Sequence, residues 1–273
     1  MQNRVTININ NHIADVRLNR PEKMNALDED MFKAIVEAGK LVGSNPTVRC
    51  VVLSGEGKCF CAGMDTANFS PDTKGGIFDE PIPSRTHGIA NIFQKVAWIW
   101  RELPVPVITA VHGVAIGGGL NIMSGADIKF VTADTRLSIM ELKWGLIPDM
   151  AGSQLWRHTV RDDVIRELMY THRIFSGEDA VNYGFATHVS ETPFEDAMKL
   201  ATEIVSKNPT AVVKAKKMIN EAPYLSAADG LLMESVEQAE INRTKNQIEA
   251  VMAAIQKRAA NFDDYRDMER SQQ

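Results

Sequence analysis

The sequence predicts an α/β protein, with strand–helix units around a largely parallel core sheet and a helical C-terminal region. Three observations lead there. Short apolar runs without alternation recur at Arg49–Ser54, Val105–Val111 and Asp127–Thr132, as strands covered on both faces require. Segments with helical apolar spacing lie between them. From Glu141 onward, helical spacing takes over almost completely.

The elements follow in order. Val5 to Ile9 and Ile13 to Leu18 alternate with period two, and Asn10, Asn11 and His12 turn the chain between them. A helix from about Asp28 to Val42 carries Met31, Ile35, Ala38 and Leu41 on one face and stops at Gly43. Further helices fall at Ile89–Leu103 and Gly118–Ser124. Thr66 to Gly88 lacks a regular apolar period. It holds Pro71, Pro81, Pro83, Gly75, Gly76 and Gly88, and reads as a long mobile surface loop, with a lid or binding loop and simple disorder both open. The C-terminal helices are Asp162–Tyr170, Glu178–Tyr183, Pro193–Lys207, Thr210–Ala222, Ser226–Arg243 and Asn246–Ala260. The expected division is a core domain over residues 1–200 and a helical region over 201–273, packed on the core or on a neighbouring subunit.

Composition narrows the function. The 273 residues are 44% hydrophobic, enough for one sizeable domain. A net charge of −5 with dispersed basic residues argues against nucleic acid and anionic membranes. No apolar stretch approaches the roughly 20 residues of a membrane span, and Met1 to Asn11 does not resemble a secretion leader. A soluble cytoplasmic protein is expected. Cys50, Cys59 and Cys61 fit a reducing compartment, and six scattered histidines give no metal-ligand spacing, so no metal is expected.

Two segments carry the chemistry. In the first, Ile108 to Asp127, a buried strand ends at His112-Gly113 and Gly117-Gly118-Gly119 opens a helix. Free N–H groups and the positive end of a helix dipole make such a turn suited to negative charge, although tight strand–helix packing would also call for glycines. It is neither a Walker loop nor a dinucleotide fingerprint. In the second, Val51 to Asp65, a strand runs into the small-residue turn Cys61-Ala62-Gly63, from which the Met64 N–H would project. One N–H from each turn, meeting at one oxygen, would stabilise charge developing on a carbonyl.

Together with Leu18-Asn-Arg-Pro-Glu-Lys-Met-Asn-Ala-Leu27, these segments resemble the crotonase (enoyl-CoA hydratase/isomerase) family over nearly the whole chain. The resemblance implies a spiral of β-β-α turns with a C-terminal helical region, assembled as a homotrimer or a dimer of trimers. It implies an acyl-CoA thioester substrate, with coenzyme A part of that substrate and no separate cofactor. Met64 and Gly118 would supply the two oxyanion N–H groups, Gly117 preceding the second. Ala62 and Asp65 would lie by the adenine and pantetheine, and Arg20, Met24 and Ala26 along the coenzyme A channel.

The acids and bases vary in this family. Glu141 sits where many members carry a catalytic glutamate, and Asp149 lies eight residues on, at a position that is glycine in typical hydratases. Asn121, counted with Gly117 among the substrate-binding positions that the resemblance implies, replaces the hydratases' second glutamate and does not transfer a proton at ordinary pH. The Glu141–Asp149 spacing resembles that of dienoyl-CoA isomerases, which carry aspartate where this chain has Asn121. Glu141 as main base and Asp149 as its partner or a pocket residue therefore favour an enoyl-CoA isomerase. A hydratase using Asp149 is the second enzyme reading, and a non-catalytic acyl-CoA-binding relative the alternative of another class. Asp149 also suits a turn after Ile147-Pro148. Cys59, Cys61 and His112 read as packing or turn residues, while Trp98, Trp100 and Trp144 are core or pocket candidates.

Overall fold

A computed structural model describes residues 4–69 and 75–266, so residues 70–74 of the long loop, Pro71 among them, lie outside the described residues. Strands β1 (Val5–Asn10), β2 (Ile13–Leu18), β3 (Cys50–Gly55) and β4 (Val107–Val111) precede β5 (Val114–Ile116), β6 (Ile128–Val131), β7 (Arg136–Ser138) and β8 (His188–Val189). Six form one sheet in the order β1-β2-β3-β4-β6-β8. Within this sheet, among the described residues, the β1–β2 hairpin is the one antiparallel pair. Strands β5 and β7 make a separate parallel pair. Isolated bridges extend it in both directions, joining Leu27 to Met64, Cys61 to Ala115 and Leu137 to Phe175.

The helices are α1 (Glu29–Ser44), α2 (Ile92–Glu102), α3 (Gly118–Ser124), α4 (Gly152–Trp156), α5 (Asp162–Thr171), α6 (Gly177–Tyr183), α7 (Pro193–Val205), α8 (Pro209–Glu221), α9 (Ala227–Ile241) and α10 (Lys245–Gln256). Asp28 caps α1 through the Met31 N–H, and Asn91 with Gln94 closes a reciprocal capping box on α2. The large sheet is covered on both faces, which is why its strands read as apolar runs. Val51 and Leu53 join the main core with Phe32, Ile35 and Trp100, while Cys50 and Val52 face Ala197 and Ala201 of α7.

The C-terminal helices are tied to this core by specific bonds. Lys216 of α8 is buried, pairs with Asp127 at 2.8 Å and donates to the Val105 and Trp100 carbonyls. Arg49 donates to the Phe262 carbonyl at 2.9 Å. Outward, α9 and α10 expose Leu231, Leu232, Val236, Ile248, Val251 and Ile255. No described helix is long and apolar enough to cross a membrane.

Several expectations need correction. Helix α1 passes Gly43 and ends at Ser44. Leu41 turns outward at 44% exposure while Val42 takes the core position, because the buried face drifts around the helix axis. Strands β5, β7 and β8 and helix α4 had no expected counterpart; each strand is two or three residues long, too short to show alternation. The described parts of Thr66–Gly88 contain 3-10 turns at Thr66–Phe69 and Gly76–Phe78, and Ile77 packs into the core.

Candidate active site

The two glycine-bearing turns come together. Where β3 ends, the chain passes Cys59 to Met64, and Cys61 pairs with the start of β5: its N–H donates to the Val114 carbonyl, and its own carbonyl accepts from Ile116. Gly63 stands at φ +90°, and a Cβ there would lie 2.5 Å from the Ile116 carbonyl and 3.6 Å from the Gly118 nitrogen. Any side chain would be strained and would wedge the turns apart. Gly119 is as tightly enclosed, with a built Cβ 2.3 Å from the Cys61 carbonyl. Among the described residues, neither the Met64 nor the Gly118 N–H donates to another protein group. Gly118 is buried as the first residue of α3, and Met64 packs partly buried against the main core.

A cleft of about 490 Å³ runs past both turns, lined by Ala62, Met64, Gly117, Gly118, Glu141 and Asp149 with an apolar group that includes Met140, Trp144, Ile147 and Met150. At its mouth Trp144 stacks on Phe69, centroids 5.2 Å apart and planes at 18°. Glu141 reaches the cleft from the 3-10 turn Glu141–Trp144, which follows β7. A Cβ on Gly117 would be 3.7 Å from Glu141 Oε1, so the carboxylate sits beside the turn that presents the Gly118 N–H. Burial pushes the Glu141 carboxyl above its ordinary range; the Asn121 amide pulls it back, and neighbouring Asp149 pushes it further up. Burial also raises Asp149. Two carboxyl groups thus share one cleft, each disposed to hold a proton longer than a solvated carboxylate would.

The other expected residues sit nearby. Asn121 is fully buried and lies behind Glu141, donating to its Oε1 at 3.1 Å, rather than in the cleft wall. Arg20 bonds Asp65 at 2.6 Å and the Ala26 carbonyl at 3.1 Å. Burial raises the Asp65 carboxyl, but the Ala67 N–H and the Arg20 guanidinium outweigh it and hold Asp65 below the usual range. Met24 is 42% exposed, Ala26 is buried, and the Met24 carbonyl accepts from the Ala62 N–H. Ala62 therefore belongs both to the cleft and to the surface formed by Arg20, Met24, Ala26 and Asp65.

Sequence reasoning passed over Asn25. It is fully buried at φ +54°, its Nδ2 lies within 3.1 Å of the Glu56, Cys59 and Phe60 carbonyls, and its Oδ1 accepts from the Arg20 N–H. This one amide locks the Arg20–Leu27 loop to the turn before Met64. A polar residue set between Met24 and Ala26-Leu27 was the available signal. The cysteines are packing groups: Cys61 donates to the Asn25 carbonyl, and burial pushes its thiol up to about 12. His112 meets the Gly57 carbonyl at 2.9 Å. Trp100 is in the core, Trp144 in the cleft, and Trp98 in a neighbouring cavity. Among the described residues, no group of three or more His, Cys, Asp or Glu side chains is placed to hold a metal ion.

Comparison with solved structures gives the class first. The fold is that of the crotonase enzymes: an enoyl-CoA hydratase from Bacillus anthracis superposes with a TM-score of 0.85 at 25% identity, over 95% of this chain and 98% of that one. The profile of the enoyl-CoA hydratase/isomerase family matches residues 8–266, and the chain belongs to that family. Curated relatives include the mitochondrial Delta(3,5)-Delta(2,4)-dienoyl-CoA isomerase of Mus musculus, 29% identical over 90% of this chain and 77% of the relative. The mitochondrial methylglutaconyl-CoA hydratase of Homo sapiens is 28% identical over 93% and 74%.

Proposed function

We propose that this acyl-CoA enzyme of the isomerase/hydratase type moves a carbon–carbon double bond along its acyl chain by proton transfer. One observation carries the reading: the carboxyl groups of Glu141 and Asp149 open on the same cleft as the unengaged N–H groups of Met64 and Gly118. In the proposed reaction, Glu141 takes a proton from a carbon conjugated to the thioester carbonyl. The electron pair moves onto the carbonyl oxygen, which the Met64 and Gly118 N–H groups hold as an enolate. A proton then returns at another carbon, from Glu141 or, along a dienoyl chain, from Asp149. Mass is unchanged and no oxidant is needed. Coenzyme A enters as part of the substrate, with no separate cofactor. The surface formed by Arg20, Met24, Ala26, Ala62 and Asp65 would receive its adenine and pantetheine.

Water addition is the second reading. It draws on Asp149, whose raised carboxyl could serve as the second acid that Asn121 cannot be. The test is to incubate the protein with 2-enoyl-, 3-enoyl- and 3,5-dienoyl-CoA and identify products by mass and chromatography. A product of unchanged mass from the 3-enoyl or dienoyl substrate supports the double-bond shift. A gain of one water on the 2-enoyl substrate alone would establish the hydratase instead, and no turnover of any thioester would leave a binding role.

Two further proposals concern assembly and compartment. A homotrimer or dimer of trimers would cover the apolar side chains that α9 and α10 expose, and light scattering tests this. Three free, buried cysteines suit a reducing compartment, for which the proposal is cytoplasmic; cell fractionation decides against a mitochondrial location.

A further inference from the structure

Among the described residues, two buried oxygen atoms near the cleft have no hydrogen-bond partner: Oδ1 of Asn121 and Oε2 of Glu141. Unpaired buried acceptors are costly, and two in one contacting pair call for an explanation. The amide's orientation supplies the start. Asn121 Nδ2 lies 2.9 Å from the Gly117 carbonyl oxygen and 3.1 Å from Glu141 Oε1. A carbonyl only accepts, so the NH₂ end must face Gly117, and its second hydrogen is then directed at Glu141. The opposite end has no alternative contact, because Gly152 packs so closely that a Cβ there would lie 2.4 Å from Oδ1.

That arrangement makes the two carboxylate oxygens of Glu141 unequal. Oε1 already accepts a hydrogen bond from a donor that cannot turn around. That hydrogen bond occupies one lone pair of Oε1 and favours the ionised carboxylate over the protonated one. Oε2 is shielded from solvent and has no hydrogen-bond partner among the described residues, so the Asn121 amide on Oε1 is the side-chain bond that holds the carboxyl in place. We infer that Asn121 is a positioning residue, whose fixed amide anchors Glu141 through Oε1 and favours its ionised, proton-accepting form. This rests on the reading of Glu141 as the base. It also gives Asn121 a role other than that of a missing carboxylate: it keeps Glu141 from sharing its proton with a neighbour.

The charged surroundings of Glu141 are few. Asp149 and Lys143 line the same cleft. Helix α5, which packs on the 141–144 turn, holds its charges in surface pairs, Arg166 with Asp162, Asp163 with Arg161 and Glu167 with Arg173.

Asn121→Asp tests the inference, because it keeps the shape and replaces the NH₂ donor by an acceptor. To satisfy the Gly117 carbonyl, the substituted carboxyl must hold a proton, and Glu141 loses its fixed donor. The pH dependence of kcat/KM should show its acidic limb displaced upward by about one unit, with the loss largely recovered at high pH. Affinity for a saturated acyl-CoA, measured by calorimetry, should change by less than about threefold. Asn121→Ala should displace the limb in the same direction. An unmoved limb in both variants, or a loss that is the same at every pH, would overturn the inference. A separate readout is the infrared titration of the Glu141 carboxylate, identified by its absence in Glu141→Gln. Full turnover by Glu141→Gln would remove the base assignment, and this inference with it. Abolished turnover with an infrared titration unmoved by Asn121→Asp would remove this inference alone.

Discussion

The two sides of the cleft are built in opposite ways. The side of Met64 and Gly118 is backbone: two turns at strand ends, cross-bonded through Cys61 and Ile116 and closed over glycines. The side of Glu141 and Asp149 is side chain, carried on the stretch from Met140 to Met150, much of which is exposed and much of which has no regular structure. Short of proline, a point mutation leaves a backbone donor in place, whereas it can exchange a carboxylate. The difference suggests a division of labour, in which the backbone side fixes what is stabilised and the side-chain side chooses the reaction.

Substitutions can break this contrast or sharpen it. Glu141→Gln should have the largest effect on rate, lowering kcat by about 10²–10⁴ in a steady-state assay while acyl-CoA affinity is retained. Gly63→Ala attacks the other side and should lose both properties together. Its Cβ would meet the Ile116 carbonyl, so turnover should fall by about 10²–10³ and unfolding by denaturant should show a loss of about 1–3 kcal/mol. An active, fully stable Gly63→Ala protein would break the comparison.

Asn25→Ala comes next. It strips a buried amide from the Glu56, Cys59 and Phe60 carbonyls, and should cost about 1–3 kcal/mol with weakened acyl-CoA binding. Glu141 also has a stability signature with a definite sign. Its folded-state affinity for a proton is raised by burial, so its contribution is fully present below the unfolded carboxylate pKa and is lost as pH rises through the higher folded value. At neutral pH the ionised, buried group is a burden, and Glu141→Gln should be more stable than the wild type by about 0.5–2 kcal/mol. Thermal melts across the carboxylate range should show that gap closing toward acid pH. Trp144→Ala should do least: with the Phe69 stack gone, KM should shift about three- to tenfold among acyl groups while the acidic limb of the pH profile stays in place.

How much of this was legible in the sequence follows the same division. The Gly117–Gly119 and Cys61–Gly63 turns are local, each written within a few adjacent residues, and helix α3 spans the expected Gly118–Ser124. The long helices were readable from apolar spacing, some ends falling as expected and others displaced by up to four residues. Strands β5 and β7 were not, because a three-residue strand is defined by its neighbours and not by its own pattern. Nor was the tie between Asn121 and Glu141 readable, since it joins residues twenty positions apart through a side-chain rotamer. The sequence sets Asn121 among the substrate-binding positions and in place of a carboxylate; the fold buries it fully, outside the residues that line the cleft. Leu41 shows the same limit on a helix, where periodicity found the stripe but not its edge.

The β5–β7 pair works as a measuring device. Ile116 sits opposite Ser138, and the Gly117 N–H donates to the Ser138 carbonyl at 2.9 Å. One strand leads within two residues to Gly118, the other within three to Glu141. The pair therefore acts as a caliper whose jaws are the proposed enolate holder and the proposed base, set by strand register. A slip of a single residue would move the base by about 3.3 Å and turn its side chain to the opposite face. Residues beyond the jaw, such as Asp149, can change without resetting the gauge, so chemistry can diversify here while the distance that matters is conserved by two short strands.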